Sequence, residues 1–225
     1  MNFHDLGDSE MLWLDLSNTI AGILNRGLMQ HERVSIAVPG GTTPGPLFDV
    51  LSAVDLEWER VDVLLTDERW VPESDPRSNA RLVRERFLVD KAAKAHFLTY
   101  YTGGDDPDVE IADAARAVRE MRPLTVVLLG MGTDMHTASL FPGGSNLARA
   151  LTPDAPDLVS MRAPGLDVPR ASLSVPVING AMNKFLVILG EEKRRALEQA
   201  GKIGDPLKAP VAAVLDNLEV YWAKS

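Results

Sequence analysis

Residues 128–142, LLGMGTDMHTASLFP, constrain this chain more than any other stretch. An apolar run (Leu124, Val126, Val127, Leu128, Leu129) breaks into glycine at Gly130 and Gly132. Asp134 and His136 follow two residues apart, and the segment stops at Pro142. An apolar strand, a glycine turn and a polar pair at the mouth of the next element is how an open α/β sheet places a site beyond its strand ends. The runs at 34–38, 61–66 and 184–189 are also short, apolar and rich in β-formers, with helical patterns between them. This alternation predicts an α/β fold: a three-layer, open, mostly parallel sheet with helices on both faces.

Taken in order, a helix is expected over 8–26, with Met11, Leu12, Leu14, Ile20, Ile23 and Leu24 as its apolar stripe. Asp8 or Ser9 would cap it and Gly27 would end it. After the strand at 34–38 comes Pro39-Gly40-Gly41-Thr42-Thr43-Pro44-Gly45, then a helical stretch around 46–51. Bare N–H groups and the positive end of a helix dipole suit an anion there, and Thr42 and Thr43 add hydroxyls. A tight turn with no ligand fits the same residues. No Gly-Lys-Ser/Thr follows, so it is not a Walker loop. The strand at 61–66 runs into Asp67-Glu68-Arg69-Trp70, charges that are costly at a strand end unless they line a cleft. A helix opens at 77–81 and runs to about 88, with Arg77, Arg81 and Arg84 on one face. Arg84 and Arg86 read as a solvated face paired with Glu73 and Glu85, whereas Arg69 and Asn79 are placed to serve a site. Another helix, 108–121, turns Ile111, Ala114, Ala115 and Val118 inward. Residues 142–169 carry five prolines and read as an excursion over the surface of one domain. Strands are expected at 171–175, 184–189, 211–215 and 218–222, with a helix over 191–199 and a tight turn at Asp216-Asn217.

The chain has 225 residues, 45% hydrophobic and 24% charged, enough to bury a sizeable core. It is read as a single domain over 1–225. It has no cysteine, which excludes disulfides and thiolate metal sites. No run approaches the roughly 18 apolar residues of a membrane span. The start, MNFHDLGDSE, lacks the basic-then-apolar pattern of a signal peptide. A cytoplasmic protein with no membrane partner is expected. The net charge of −9 argues against nucleic acid as a partner. It leaves room for a small anion where donors and cations gather locally.

Of the four histidines, only His136 lies in a glycine-framed motif at a strand end. No second histidine is near it in sequence, so zinc is not expected. Neither Ser139 nor Ser145 sits in a G-x-S-x-G elbow. Gly130-Met131-Gly132 is half of a dinucleotide fingerprint, with Met135 where the third glycine would fall. What remains is His136 as a general base or acid near neutral pH, oriented by Asp134. A histidine satisfied by backbone bonds at a helix start is the competing reading.

Three blocks resemble the 6-phosphogluconolactonases of the glucosamine-6-phosphate isomerase/deaminase-like superfamily. They are PGGTTP (39–44), TDERWVPESDPRSNARL (66–82) and LGMGTDMHTASLFP (129–142). RASLSVPVINGAMNKFLVILGEEKRRAL (170–197) is a weaker fourth, and the four follow the family's order. The resemblance implies a sheet of the glucosamine-6-phosphate deaminase/ribose-5-phosphate isomerase type. It implies hydrolysis of 6-phosphoglucono-δ-lactone to 6-phosphogluconate in the oxidative pentose phosphate pathway, without metal or cofactor, by a monomer or small homo-oligomer. His136 would then take a proton from the attacking water, with Asp134 orienting it. Arg69 or a backbone N–H would meet the carbonyl oxygen. The phosphate would sit on Gly40, Gly41, Thr42 and Thr43, with Arg170 and Lys193 as cations. Asp67, Asn79 and Gly132 would complete the substrate contacts.

The chain departs from the family at Pro39, at Met135 and in its loosely matching tail, VYWAKS. The family often has serine where Pro39 stands and glycine where Met135 stands. Met135 implies either an ordinary backbone or a slightly reshaped pocket. A glucosamine-6-phosphate deaminase is the nearest rival, but it carries an acid shortly after the histidine, and residues 137–142 contain none. A non-catalytic sugar-phosphate sensor is a third reading; no basic DNA-reading segment accompanies it here.

Overall fold

The computed structural model describes residues 1–224. Its main sheet is built from β1 (Asn2–Asp5), β2 (Val34–Val38), β3 (Val61–Leu65), β5 (His96–Phe97), β6 (Val126–Leu129), β9 (Asn183–Leu189) and β10 (Leu218–Ala223). Their order is β1-β10-β9-β6-β2-β3-β5, and every pair is parallel. Every residue of β2, β3 and β6 is buried, so both faces of the sheet centre are covered. The cover comes from helices α1 (Ser9–Leu28), α2 (Gly45–Ser52), α3 (Asn79–Arg86), α4 (Pro107–Glu110), α5 (Ala112–Glu120), α6 (Leu147–Ala150), α7 (Val175–Asn179) and α8 (Gly190–Ile203). From β2 the chain steps outward through β3 to β5, then returns to β6 on the other side of β2 and steps outward through β9 to β10. The strand order therefore reverses between β2 and β6, where an open sheet leaves a crevice at its carboxyl edge.

A second sheet stands apart from the first. β4 (Asp67–Arg69) leaves β3 after one residue and pairs antiparallel with β8 (Arg170–Leu173), which pairs antiparallel with β7 (Leu158–Met161).

The helix at the start is capped by Asp8, whose Oδ1 accepts the Met11 N–H at 2.8 Å. It does not stop at Gly27 but runs one residue further. Its inward stripe is Leu12, Trp13, Leu16, Ile20, Leu24 and Leu28. Met11 and Leu14, expected on that stripe, are 54% and 49% exposed. Leu14 lies two residues from both Leu12 and Leu16, hence on the opposite face, and Met11 lies at the outer edge of the stripe.

Further expectations meet the structure in different ways. Residues 211–215 are not a strand: Pro210–Val214 form a 3-10 turn. Val211 donates its N–H to Met135 O (3.1 Å) and Ala212 donates to Ala209 O, so these residues have no ladder to join. Asp216-Asn217 do form the expected tight turn, closed by Leu218 N–H to Leu215 O with Asn217 at φ 53°, but it leads into β10, which pairs with β9 in parallel, so no hairpin forms. The proline-rich stretch 142–169 supplies α6 and β7 and, as its apolar residues allow, packs Leu147, Leu158, Val159 and Met161 into the core. The helix expected over 108–121 is broken into α4 and α5 at Ile111.

Behind α2 and α3, Phe48 and Phe87 stack with centroids 5.1 Å apart, and Trp58 meets Phe87 edge-on at 5.7 Å. All three are almost fully buried and clamp the end of α3 to α2. Phe87→Ala should cost about 3–5 kcal/mol of stability in urea unfolding with an unchanged m value. A cost below about 1 kcal/mol would mean that this cluster does not hold α3.

Candidate active site

A cleft of about 280 Å³ opens at the carboxyl ends of β2 and β6, at the reversal point. Gly40, Gly41, Thr42 and Thr43 line it from the loop after β2. Asp67, Arg69 and Asn79 line it from β4 and the start of α3, and Lys193 from the first turn of α8. Gly132 and His136 come from the loop after β6. The sequence reading did not place Pro39, Pro44, Gly130, Met131, Ala138 and Val187 among the site residues, although they complete the wall. They carry no charge or donor side chain, so only their neighbours in sequence could have marked them.

Asp134 and Arg170 lie outside that lining. Asp134 stands behind His136: its Oδ1 meets His136 Nδ1 at 2.5 Å and accepts the His136 N–H at 3.3 Å. Nδ1 therefore donates to the carboxylate, and Nε2, which has no partner among the described residues, is left to accept a proton. The ring packs on Phe141 with centroids 4.3 Å apart, and its side chain is 29% exposed. His136 is not at a helix start. It sits in a tight loop closed by Gly132 N–H to His136 O (3.1 Å) and Met135 N–H to Gly132 O (3.0 Å). A Cβ on Gly132 would run into both the His136 ring and the Asp134 carboxylate, so glycine is what lets the pair form here. Met135 takes φ 66°, so its backbone is not ordinary but left-handed.

The turn after β2 depends on close approach. Gly40 lies against the Asn79 side-chain amide, which would fill the space of a Cβ, and Gly41 has φ 84°. Asn79 Nδ2 donates to Asp67 O at 2.9 Å, tying α3 to β4. No side chain caps the N-terminus of α2, which leaves that end to a ligand or water.

Not every charge after β3 faces the cleft. Glu68 points inward and is buried, and it accepts the N–H groups of Arg69, Asn79 and Ala80, each at 2.7 Å. Burial pushes its carboxyl up from the usual range, although these donors oppose the shift. It fixes the loop that carries Arg69 and Asn79. Arg77 does not share a helix face with Arg81 and Arg84. It precedes α3 and pairs with Asp75 (2.7 Å) and Asp167 (2.6 Å). Arg84 pairs with Glu73 and Arg81 with Glu85, while Arg86 reaches Asp49 of α2 rather than a neighbour on its own helix.

The cations stand unusually bare. Arg69 and Arg170 face each other across the β4–β8 ladder. Arg69 Nη1 donates to Arg77 O. The Arg170 side chain is only 11% exposed, its Nε has no partner, and its nearest carboxylate oxygen, on Asp167, is 3.9 Å away. Burial, then the Arg69 charge, pushes the Arg170 guanidinium down from its ordinary value. Burial alone lowers the Lys193 ammonium. A half-buried cation without a partner is costly and invites an anion. Among the described residues no group of three or more His, Asp or Glu side chains is arranged to hold a metal ion. No described helix is long and apolar enough to cross a membrane.

Inorganic phosphate should therefore raise the melting temperature relative to chloride at equal ionic strength. The gain is about 1.4 kcal/mol at a tenfold excess over Kd. Lys193→Ala should lose that gain, and an equal rise in both proteins would take Lys193 out of the anion site.

Residues 7–222 match the family model described as glucosamine-6-phosphate isomerases/6-phosphogluconolactonase. A 6-phosphogluconolactonase of Rhizobium meliloti (strain 1021) is 38% identical over 99% of this chain and 98% of its own. One from Mesorhizobium japonicum is 37% identical over 99% and 95%. The crystal structure of a 6-phosphogluconolactonase from Shewanella baltica OS155 superposes with a TM-score of 0.96 at 32% identity, covering 99% of this chain and 97% of that one. With a family match over residues 7–222 and relatives aligned nearly end to end, the chain belongs to the family of glucosamine-6-phosphate isomerases and 6-phosphogluconolactonases.

Proposed function

We propose that the chain hydrolyses 6-phosphoglucono-δ-lactone to 6-phosphogluconate, the lactone-opening step of the oxidative pentose phosphate pathway. One observation carries this reading: His136 lines the cleft with Nδ1 held by Asp134 and Nε2 unpartnered, in the same cleft as the Gly40–Thr43 turn. Relatives along the whole chain are 6-phosphogluconolactonases.

In this reading the phosphate sits on the turn after β2, with Lys193 and Arg170 as its cations. Nε2 takes a proton from a water whose oxygen attacks C1 of the lactone. The negative charge that develops on the carbonyl oxygen is met by Arg69 or a backbone N–H. The C1–ring oxygen bond then breaks, and the imidazolium returns its proton to the departing ring oxygen. Asp134 holds the tautomer throughout and stabilises the imidazolium between these two transfers. Asp67, Asn79 and Gly132 contact the sugar. No step calls for a metal or cofactor. A deaminase needs a further proton shuttle, and residues 137–142 offer no carboxylate for one. Residues 1–225 act as one domain, in the cytoplasm, as a monomer or small homo-oligomer.

Freshly prepared 6-phosphogluconolactone should release acid faster with the purified protein than without it, in a pH-stat or a coupled dehydrogenase assay without added metal. His136→Ala should keep its fold and lose about 100- to 10,000-fold in rate, falling close to spontaneous opening. Full activity in that variant would remove His136 from the mechanism.

A further inference from the structure

Ser139 has no place in the mechanism above, yet it sits between the two walls of the cleft. It is almost fully buried, three residues after His136 on the same loop. Its Oγ–H donates to Asp67 Oδ2 at 2.7 Å. Its own N–H donates to Ser172 Oγ at 3.2 Å, and Ser172 Oγ–H donates in turn to Leu173 O at 3.1 Å. Ala138, at φ 48°, reverses the chain so that Ser139 can reach across. On the far side Asp67 is 9% exposed and lines the cleft, with its other oxygen accepting Thr66 Oγ1–H at 3.2 Å. A hydroxyl aimed at a buried carboxylate makes a short charge-assisted bond that fixes the carboxylate's rotamer.

The geometry points to Ser139 as a positioning residue that registers the His136 loop against Asp67, so that the carboxylate which accepts a sugar hydroxyl and the base which activates water keep one separation. This rests on the lactonase reading. Ser139 touches no substrate. It acts through Asp67, which the Asp134–His136 contact cannot align because that contact lies within one loop. Misplacing a substrate-gripping group by a fraction of an ångström to an ångström costs rate well beyond the bond itself.

A double-mutant cycle on lactone hydrolysis tests this. Ser139→Ala should lower kcat/KM about tenfold to a hundredfold, mostly in kcat, while circular dichroism stays near wild type and the melting temperature falls by several degrees but stays well above the assay temperature. In the Asp67→Asn background the same substitution should cost less than about threefold, because the partner it positions is already altered. Ser139→Cys keeps a weak donor on the same Cβ. It should fall between serine and alanine, and it takes the place of alanine in the cycle if Ser139→Ala does not fold. Losses that multiply in the double variant would overturn the inference and leave Ser139 as a packing residue. An inactive wild-type protein would instead overturn the lactonase reading.

Discussion

Parallel pairing of β2 with β6, in the register Ile36 to Val126 and Ala37 to Val127, is the constraint on which the rest of this molecule depends. Two neighbouring strands end at the same edge, and their chains leave in opposite directions to cover opposite parts of the sheet. The crevice therefore follows from strand order before any functional side chain is placed. The loop after β2 brings a turn lined with N–H groups and hydroxyls to one side, and the loop after β6 brings the Asp134–His136 pair to the other. β4 peels away from β3 at the same edge and adds Asp67 and Arg69 as a third wall.

That third wall shows how charge is managed here. The molecule carries −9 overall, yet Arg69 and Lys193 line the cleft, and Arg170, just outside the lining, faces Arg69 with its nearest carboxylate oxygen at 3.9 Å. A structural role would pair these cations, as Arg77 is paired with Asp75 and Asp167 at the surface. Burial lowers the affinity of Arg170 and Lys193 for their protons, and at Arg170 the Arg69 charge adds like-charge repulsion. An arriving phosphate reverses both terms at once. Glu68 shows the complementary arrangement: a buried carboxylate spends its oxygens on backbone N–H groups, so it braces the loop without neutralising the cations.

Much of this was legible in the sequence because it is local. Val34–Val38, the Pro39–Pro44 turn and the glycine-framed histidine are contiguous, and apolar runs bounded by glycine specify their own geometry. What escaped was non-local or overridden. β4, β7 and β8 are three or four residues each, joined across about a hundred positions, and no local pattern announces such a sheet. Residues 211–215 have strand composition, but Pro210 starts a 3-10 turn and Met135 O takes the Val211 N–H. Met11 and Leu14 are apolar at nearly helical spacing, and only the packing of Leu12 and Leu16 decides which side faces in. The Ser139 bond to Asp67 spans 72 positions, so the residue reads in sequence as a failed hydrolase serine rather than as a strut.

Met135 shows what the loop after β6 demands of the chain. Its left-handed backbone costs a non-glycine residue about 1 kcal/mol. Glycine would remove that cost but would leave the denatured loop freer, and it would forfeit the contact that the half-buried methionine makes with the core. The backbone bonds explain why the conformation is held at all. Met135 N–H closes the turn onto Gly132 O, and Met135 O receives the Val211 N–H from the 3-10 turn before β10. The strained residue is thus fixed at both ends. Its neighbour His136 inherits that fixity, so the imidazole is oriented by the backbone on one side and by Asp134 on the other. A loop that is strained but doubly anchored suits a base whose job is to hold one nitrogen still while the substrate moves past it.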